Sequence, residues 1–287
     1  MNPRVPHSLG RAQKLNLGNL RAPLLVHMVV NVEYWPFDKP MPRKLMGGPH
    51  GDDATPDILN YSWHEYGMRR GLPRLLSFAR EFDVPVSASM NSAVIQAYPA
   101  AAEAIAAAGW EFIGHGVTQK SLPNEPDERE VIVRALDEIE AFSGARPRGW
   151  LGPGLGETEH TPDVLKAAGV EYVFDWVIDD LPCWMTTRHG KLLAMPYSLE
   201  LNDSVLFAAH PHASEEYSRR VRDTLSIYEM EIKDEPRILT LPLHPHLMGV
   251  PHRFAQLRRM VELLASHPSV QFVTGATIAD WFMKESP

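Results

Sequence analysis

With 287 residues, 44% hydrophobic and 22% charged, the chain can bury one large α/β barrel or two ordinary domains. Its formal net charge of −8, with no Lys/Arg block, argues against a nucleic-acid partner. A single cysteine, Cys183, excludes an intramolecular disulfide framework and any Cys-rich zinc site, and it reads more simply as a bystander than as a nucleophile.

Residues 1–23 contain no uninterrupted apolar core, and no stretch approaches the roughly 20 apolar residues needed to cross a bilayer. A cytoplasmic protein without a membrane partner is expected. LLVHMVVNV (24–32) then reads as a buried strand, followed by a polar, Pro- and Gly-rich stretch too long for an ordinary connection. A helix is predicted over 64–82, a strand over 84–90, and an Ala-rich helix over 92–108 closed by Gly109.

WEFIG (110–114) is the next strand and 127–142 the next helix. RGWLG (148–152), EYVFDW (171–176), LLAMPYS (192–198), RILTLPL (237–243) and VQFVT (270–274) continue the strands. Helices at about 161–168, 215–231, 252–266 and 275–284 alternate with them, and VLFAA (205–209) is a short strand candidate. This alternation predicts a deformed (β/α)-barrel of seven or eight parallel strands in one domain, residues 1–287. An irregular arm (about 1–22) and a long loop (about 34–62) complete it. GPGLG (152–156) is neither spaced nor placed for a dinucleotide-binding turn, which counts against an open doubly wound sheet.

Barrel chemistry gathers at the carboxyl ends of strands, and titratable groups stand at several of these ends. Glu33 directly follows a buried strand and precedes Tyr34 and Trp35, where a carboxylate can act as base or metal ligand rather than as a solvated strand end. His115, flanked by glycines, suits a proton carrier or metal ligand; its plainer alternative is a hydrogen-bonded structural histidine. Histidines recur as His210-Pro-His212 and His244-Pro-His246, of which His244 best fits the mouth of a barrel. Arg148, beside Trp150 and Pro153, can orient a catalytic carboxylate or simply stack on its tryptophan, and Asp180 can do the same or make a turn.

Six segments in this order, VNVEYW (30–35), WHEYGMRRGLPRLL (63–76), GWEFIGHG (109–116), RPRGWLGPGLGET (146–158), DWVIDDLPCW (175–184) and LHPH (243–246), resemble the polysaccharide deacetylase superfamily. The likeness covers nearly the whole chain and is greatest to a cytosolic branch that includes cofactor-independent allantoinases and cyclic imide hydrolases. The resemblance implies a deformed barrel, a homotetramer and hydrolysis of a ring amide, with His244 matching the histidine of the last family motif.

Two departures matter. Asn31 and Glu33 stand where metal-dependent members carry two aspartates, and Gln119 stands where they carry a second histidine. Metal ligation is thereby reduced to at most Glu33 and His115, so the expectation is no required cofactor, or at most a weakly bound zinc or other divalent ion.

The expected activity is hydrolysis of a C–N bond in a small cyclic amide or imide, with Glu33, His115 and His244 catalytic. Tyr34, Trp35, His64, Glu65, Arg69, Arg148, Trp150, Pro153, Asp180 and Trp184 are the expected substrate contacts, some of them supplied by a neighbouring subunit. Two other readings stand beside this one: a metal-dependent N-deacetylase of an amino sugar or polysaccharide, and a non-catalytic barrel that only binds a small ligand.

Overall fold

The strand at the centre of the molecule, β1 (Leu24–Val32), is buried at all nine positions, as befits a run of branched side chains covered on both faces. The structure, a computed structural model, describes residues 3–9, 14–45 and 54–287. Residues 46–53 of the long connection lie outside the described residues. That connection ends at residue 57, earlier than expected, because Asp57 caps a helix by accepting the Asn60 amide at 3.1 Å. The helical segment then runs as α1 (Ile58–Tyr66), a π-helical turn (Gly67–Gly71) and α2 (Leu72–Glu81).

Beyond β2 (Val86–Met90), the Ala-rich helix is divided at Tyr98 into α3 (Val94–Ala97) and α4 (Pro99–Ala107). Pro99 has no amide hydrogen to continue the first piece and opens the second. The chain continues through β3 (Glu111–Gly114), α5 (Glu128–Ser143), β4 (Gly149–Trp150), α6 (Thr161–Ala167) and β5 (Tyr172–Val173).

An element the sequence pattern did not announce follows. β6 (Cys183–Thr187) pairs antiparallel with β7 (Gly190–Ala194) through a tight turn in which Gly190 takes φ +109°. VLFAA is not a strand but a second π-helical turn (Val205–Ala209). The last elements are α7 (Glu215–Glu231), β8 (Arg237–Leu243), α8 (Pro251–Ala265), β9 (Val270–Phe272) and α9 (Gly275–Glu285).

The sheet order is β6-β7-β5-β4-β3-β2-β1-β8, and every pairing except β6–β7 is parallel. Neighbouring strands that follow chain order wind in one direction, which is barrel topology and not a doubly wound sheet. One edge of β1 is shared, with β9 on Leu24–Val26 and β2 on Met28–Val32. The sheet curls until Thr240 of β8 donates 3.0 Å to the Pro196 carbonyl just past β7. The result is a deformed (β/α) barrel of eight parallel strands with an antiparallel hairpin at one edge. Among the described residues, no helix is long and apolar enough to cross a membrane.

Strand parity sorts the side chains. Even-numbered residues of β1 and odd-numbered residues of β8 pack outward with α2, α7 and α8, while Leu25, Val29, Ile113 and Ile238 turn inward with Phe174 and Tyr197.

Candidate functional site

The same parity delivers the site. On β1 the inward series 25, 27, 29 continues to Asn31 and Glu33; on β8 the series 238, 240 continues to His244; on β3, Ile113 continues to His115. All four line one cavity of about 1220 Å³ at the carboxyl ends of the strands. The structure therefore brings together the three residues expected to be catalytic.

His244 is held from two sides. Its backbone amide donates to Asp203 Oδ2 at 2.7 Å and its Nδ1 to Asp203 Oδ1 at 2.6 Å, while Nε2 lies 3.4 Å from Glu33 Oε1. Asp203 is completely buried. Burial alone would lower the His244 pKa, but the two carboxylates outweigh it and raise it to about 10, so the ring is an imidazolium at neutral pH. Glu33 shows the converse balance. Burial works against its carboxylate, yet His244, with His246 and His115 behind it, holds the carboxyl well below the usual carboxylate range. Its Oε2 also accepts the Trp35 indole N–H at 2.7 Å.

His115 is the opposite case. Its Nδ1 bonds the Leu151 carbonyl, which can only accept, so Nδ1 carries the hydrogen and Nε2 keeps its lone pair. That Nε2 is buried without a hydrogen-bond partner among the described residues. Burial lowers its pKa, with Glu33 only partly offsetting this, so the ring is a neutral base. A bond from the Asn91 side chain to the His115 carbonyl fixes the strand end.

On the far wall, both oxygens of Asp175 receive the Gly152 amide, at 2.8 and 2.9 Å. Burial and the neighbouring Glu157 push the Asp175 carboxyl well above its usual range, disfavouring its charged form.

Of the expected substrate contacts, Trp35 and Pro153 line the cavity. His64 stands one layer back, stacked on Trp35 at 4.6 Å with Nε2 donating to the Glu33 carbonyl at 3.0 Å. Tyr34 likewise lies behind the wall, its amide on Asn91 Oδ1 and its ring against Tyr98.

The others are not brought there. Glu65 accepts the Tyr98 hydroxyl, and Arg69 borders a separate outer crevice with Arg70 and Pro73. Arg148 precedes β4 and so sits at the amino end of the barrel, bound to Glu171 at 2.7 Å and Asp280 at 2.5 Å. Trp150 points outward into the core beneath α5 and α6. Asp180 accepts the Tyr228 hydroxyl at 2.9 Å, and Trp184 on β6 donates to the Ser286 carbonyl at 2.6 Å beside Phe282. Cys183 lies on the same edge strand.

One contributor, Asp203, is not legible in the sequence. Asp203 carries no local signal, since its partner lies 41 residues downstream. His246, which fits the mouth less well than His244 by sequence, is buried and its ring meets those of Trp35 and Trp63 edge-on at 5.1 and 4.6 Å.

A metal is the implied cofactor of metal-dependent relatives, and the donors here can be tested for it. Asn31 Nδ2 is engaged by the Tyr197 hydroxyl at 3.2 Å and the Leu243 carbonyl at 3.3 Å, and both Glu33 oxygens are engaged as above. Gln119, not a histidine, shares the cavity with His115. Among the described residues no group of three or more His, Cys, Asp or Glu is arranged to hold a metal ion. This donor set does not fit a catalytic zinc, which takes three protein ligands plus water.

Comparison with known proteins agrees with this architecture. Residues 54–173 match the family model described as polysaccharide deacetylase. A Schizosaccharomyces pombe protein whose name places it among the polysaccharide deacetylases is 28% identical over 247 residues, 79% of this chain and 77% of that one. The solved structure of PuuE allantoinase superposes with a TM-score of 0.81 at 25% identity, covering 97% of this chain and 99% of its own. A Pseudomonas aeruginosa PAO1 structure, titled as a polysaccharide deacetylase, gives 0.80 at 25% identity over 96% and 99%.

Proposed function

On the premise that the chain belongs to the polysaccharide deacetylase superfamily, we propose that it is a hydrolase opening the ring of a small cyclic amide or imide, of the succinimide, hydantoin or allantoin type. One observation carries the reading: His115, whose buried Nε2 has no partner among the described residues, and His244, paired with Asp203, face the same cavity as Glu33.

In this scheme His115 Nε2 takes a proton from water as its oxygen adds to the ring carbonyl. The Nε2–H of His244, at the positive end of the Asp203–His244 pair, stabilises the oxyanion and then protonates the nitrogen as the C–N bond breaks. Ring opening leaves a carboxylic acid and an amide or amine nitrogen. Glu33, too acidic to be the base itself, holds the imidazolium and orients the water. No cofactor is required, a reading supported by the donor set. The similarity to PuuE allantoinase supports a ring amide; the name of the yeast relative favours the acetyl amide of an amino sugar instead.

The deciding experiment is turnover of purified protein on cyclic imides, hydantoins, allantoin and N-acetylated amino sugars, with and without chelator. Ring opening that persists under chelation is expected. Deacetylation of sugars alone, abolished by chelator and restored by one equivalent of Zn²⁺, would overturn the reading.

A further inference from the structure

The floor of the cavity explains ring opening but not its size or its rim. At about 1220 Å³ it exceeds what a five-membered ring needs, so the substrate has room for a substituent reaching outward. The charged groups along that route are cations. Among the described residues, Lys39, Arg43 and Lys120 line the cavity, against two carboxyls, Glu33 and Asp175. Glu33 is matched by the His244 imidazolium, and Asp175 accepts the Gly152 amide while burial and Glu157 disfavour its charged form. In a chain with a net charge of −8, the described lining of this cavity thus carries a surplus of cations.

Among the three cations, Lys39 lies 3.4 Å from Asp38 and Lys120 lies 2.8 Å from Glu125. Arg43 is half-buried, and no carboxylate or other hydrogen-bond acceptor among the described residues pairs with it. Its charge reaches inward far enough to oppose protonation of His246 beside the catalytic floor. A half-buried guanidinium gives up hydration and normally recovers it through a planar acceptor; its fork of N–H donors matches a carboxylate in bidentate fashion.

We propose that the ring substrate carries a carboxylate substituent and that Arg43 is the specificity-determining residue that receives it, with Lys39 and Lys120 adding to the attracting field. This deepens, and rests on, the ring-opening reading above: Glu33, His115 and His244 engage the scissile amide while Arg43 holds the anion at the other end of the same molecule.

The test compares hydantoin-5-acetate with its neutral isostere hydantoin-5-acetamide. Wild-type protein is expected to favour the carboxylate by about tenfold or more in kcat/KM, mainly through KM. Added salt should shrink that preference. Arg43→Gln should bring the ratio close to one, with Arg43→Lys intermediate and thermal unfolding of both variants like wild type. A wild-type ratio near one, or a ratio unchanged in Arg43→Gln, overturns the proposal and leaves ring opening standing. If neither ring is opened, the functional reading fails by itself, and calorimetric titration of hydantoin-5-acetate then decides this proposal. Binding lost in Arg43→Gln supports it; equal binding overturns it.

Discussion

In the proposed mechanism His244 meets two opposing demands, since a proton donor must be charged yet remain buried. Asp203 resolves this by taking both the backbone and ring N–H groups of the residue it charges. His244→Ala should therefore lower kcat by about 10²–10⁴-fold with fold and assembly intact. His210→Ala should cost little, since His210 is not among the residues lining the cavity. Near wild-type turnover of His244→Ala would move the acid role elsewhere.

Asp203→Asn probes the same pair through pH. If the imidazolium is the acid, activity falls as pH rises through the His244 pKa, about 10 in the intact protein. Removing Asp203 leaves burial less opposed, so the alkaline limb should move toward neutrality; a limb that stays in place would rule out His244 as the donor. Stability obeys the same sign. Because folding raises this pKa, the pair's contribution is complete below the unfolded value of about 6.5 and is lost as pH rises through about 10. The Asp203→Asn protein should lose less stability than wild type across that interval.

Among the elements, the helical segment from α1 to α2 supports the His244–His246 loop. Its π-helical turn carries Gly67 and Gly71, and a Cβ on either would fall on the backbone of Pro245 or His246. Helix propensity alone predicts that Gly67→Ala stabilises by about 1 kcal/mol. Packing predicts a loss of about 1–3 kcal/mol and a fall in kcat as the His244–His246 loop is displaced. Thermal denaturation decides between them by sign: a gain in stability would show that the helix approaches the loop less closely than described.

What the sequence disclosed follows a related logic. β1 and β8 are long and branched, so their limits and their inward parity were both legible, and with them Glu33 and His244. The two-residue strand β4 offers too little pattern to fix its ends, and so Arg148 was taken for a residue of the mouth when it lies at the amino end. The tie between Asp203 and His244 is purely tertiary, joining a loop to a strand end, and no local periodicity encodes it. β6 was hidden because an edge hairpin needs neither a continuous apolar run nor strict alternation.

At the scale of the whole molecule, four of the eleven large apolar side chains left in water among the described residues fall in one stretch. Phe37, Leu45, Ile58 and Leu59 are 45, 46, 59 and 45% exposed, all within residues 37–59, and Phe37 packs on Tyr61 at 4.9 Å. Scattered exposed leucines are ordinary, but several in one segment that also leads to the cavity mark a surface suited to association. A net charge of −8 disfavours indiscriminate clustering, so any assembly must rest on a specific apolar contact. The resemblance to the cyclic-amide branch of the superfamily implies a homotetramer, and we propose this segment as one of its subunit contacts. Light scattering at micromolar concentration should report four copies. The double substitution Ile58→Asp and Leu59→Asp should dissociate them, because a buried interface cannot cheaply accept two unpaired carboxylates per chain. Since Arg43 belongs to the same stretch, dissociation should also raise KM more than it lowers kcat. A wild-type monomer at that concentration, or a double variant that keeps its mass, would place these side chains over the pocket instead, as a cover that each subunit supplies to itself.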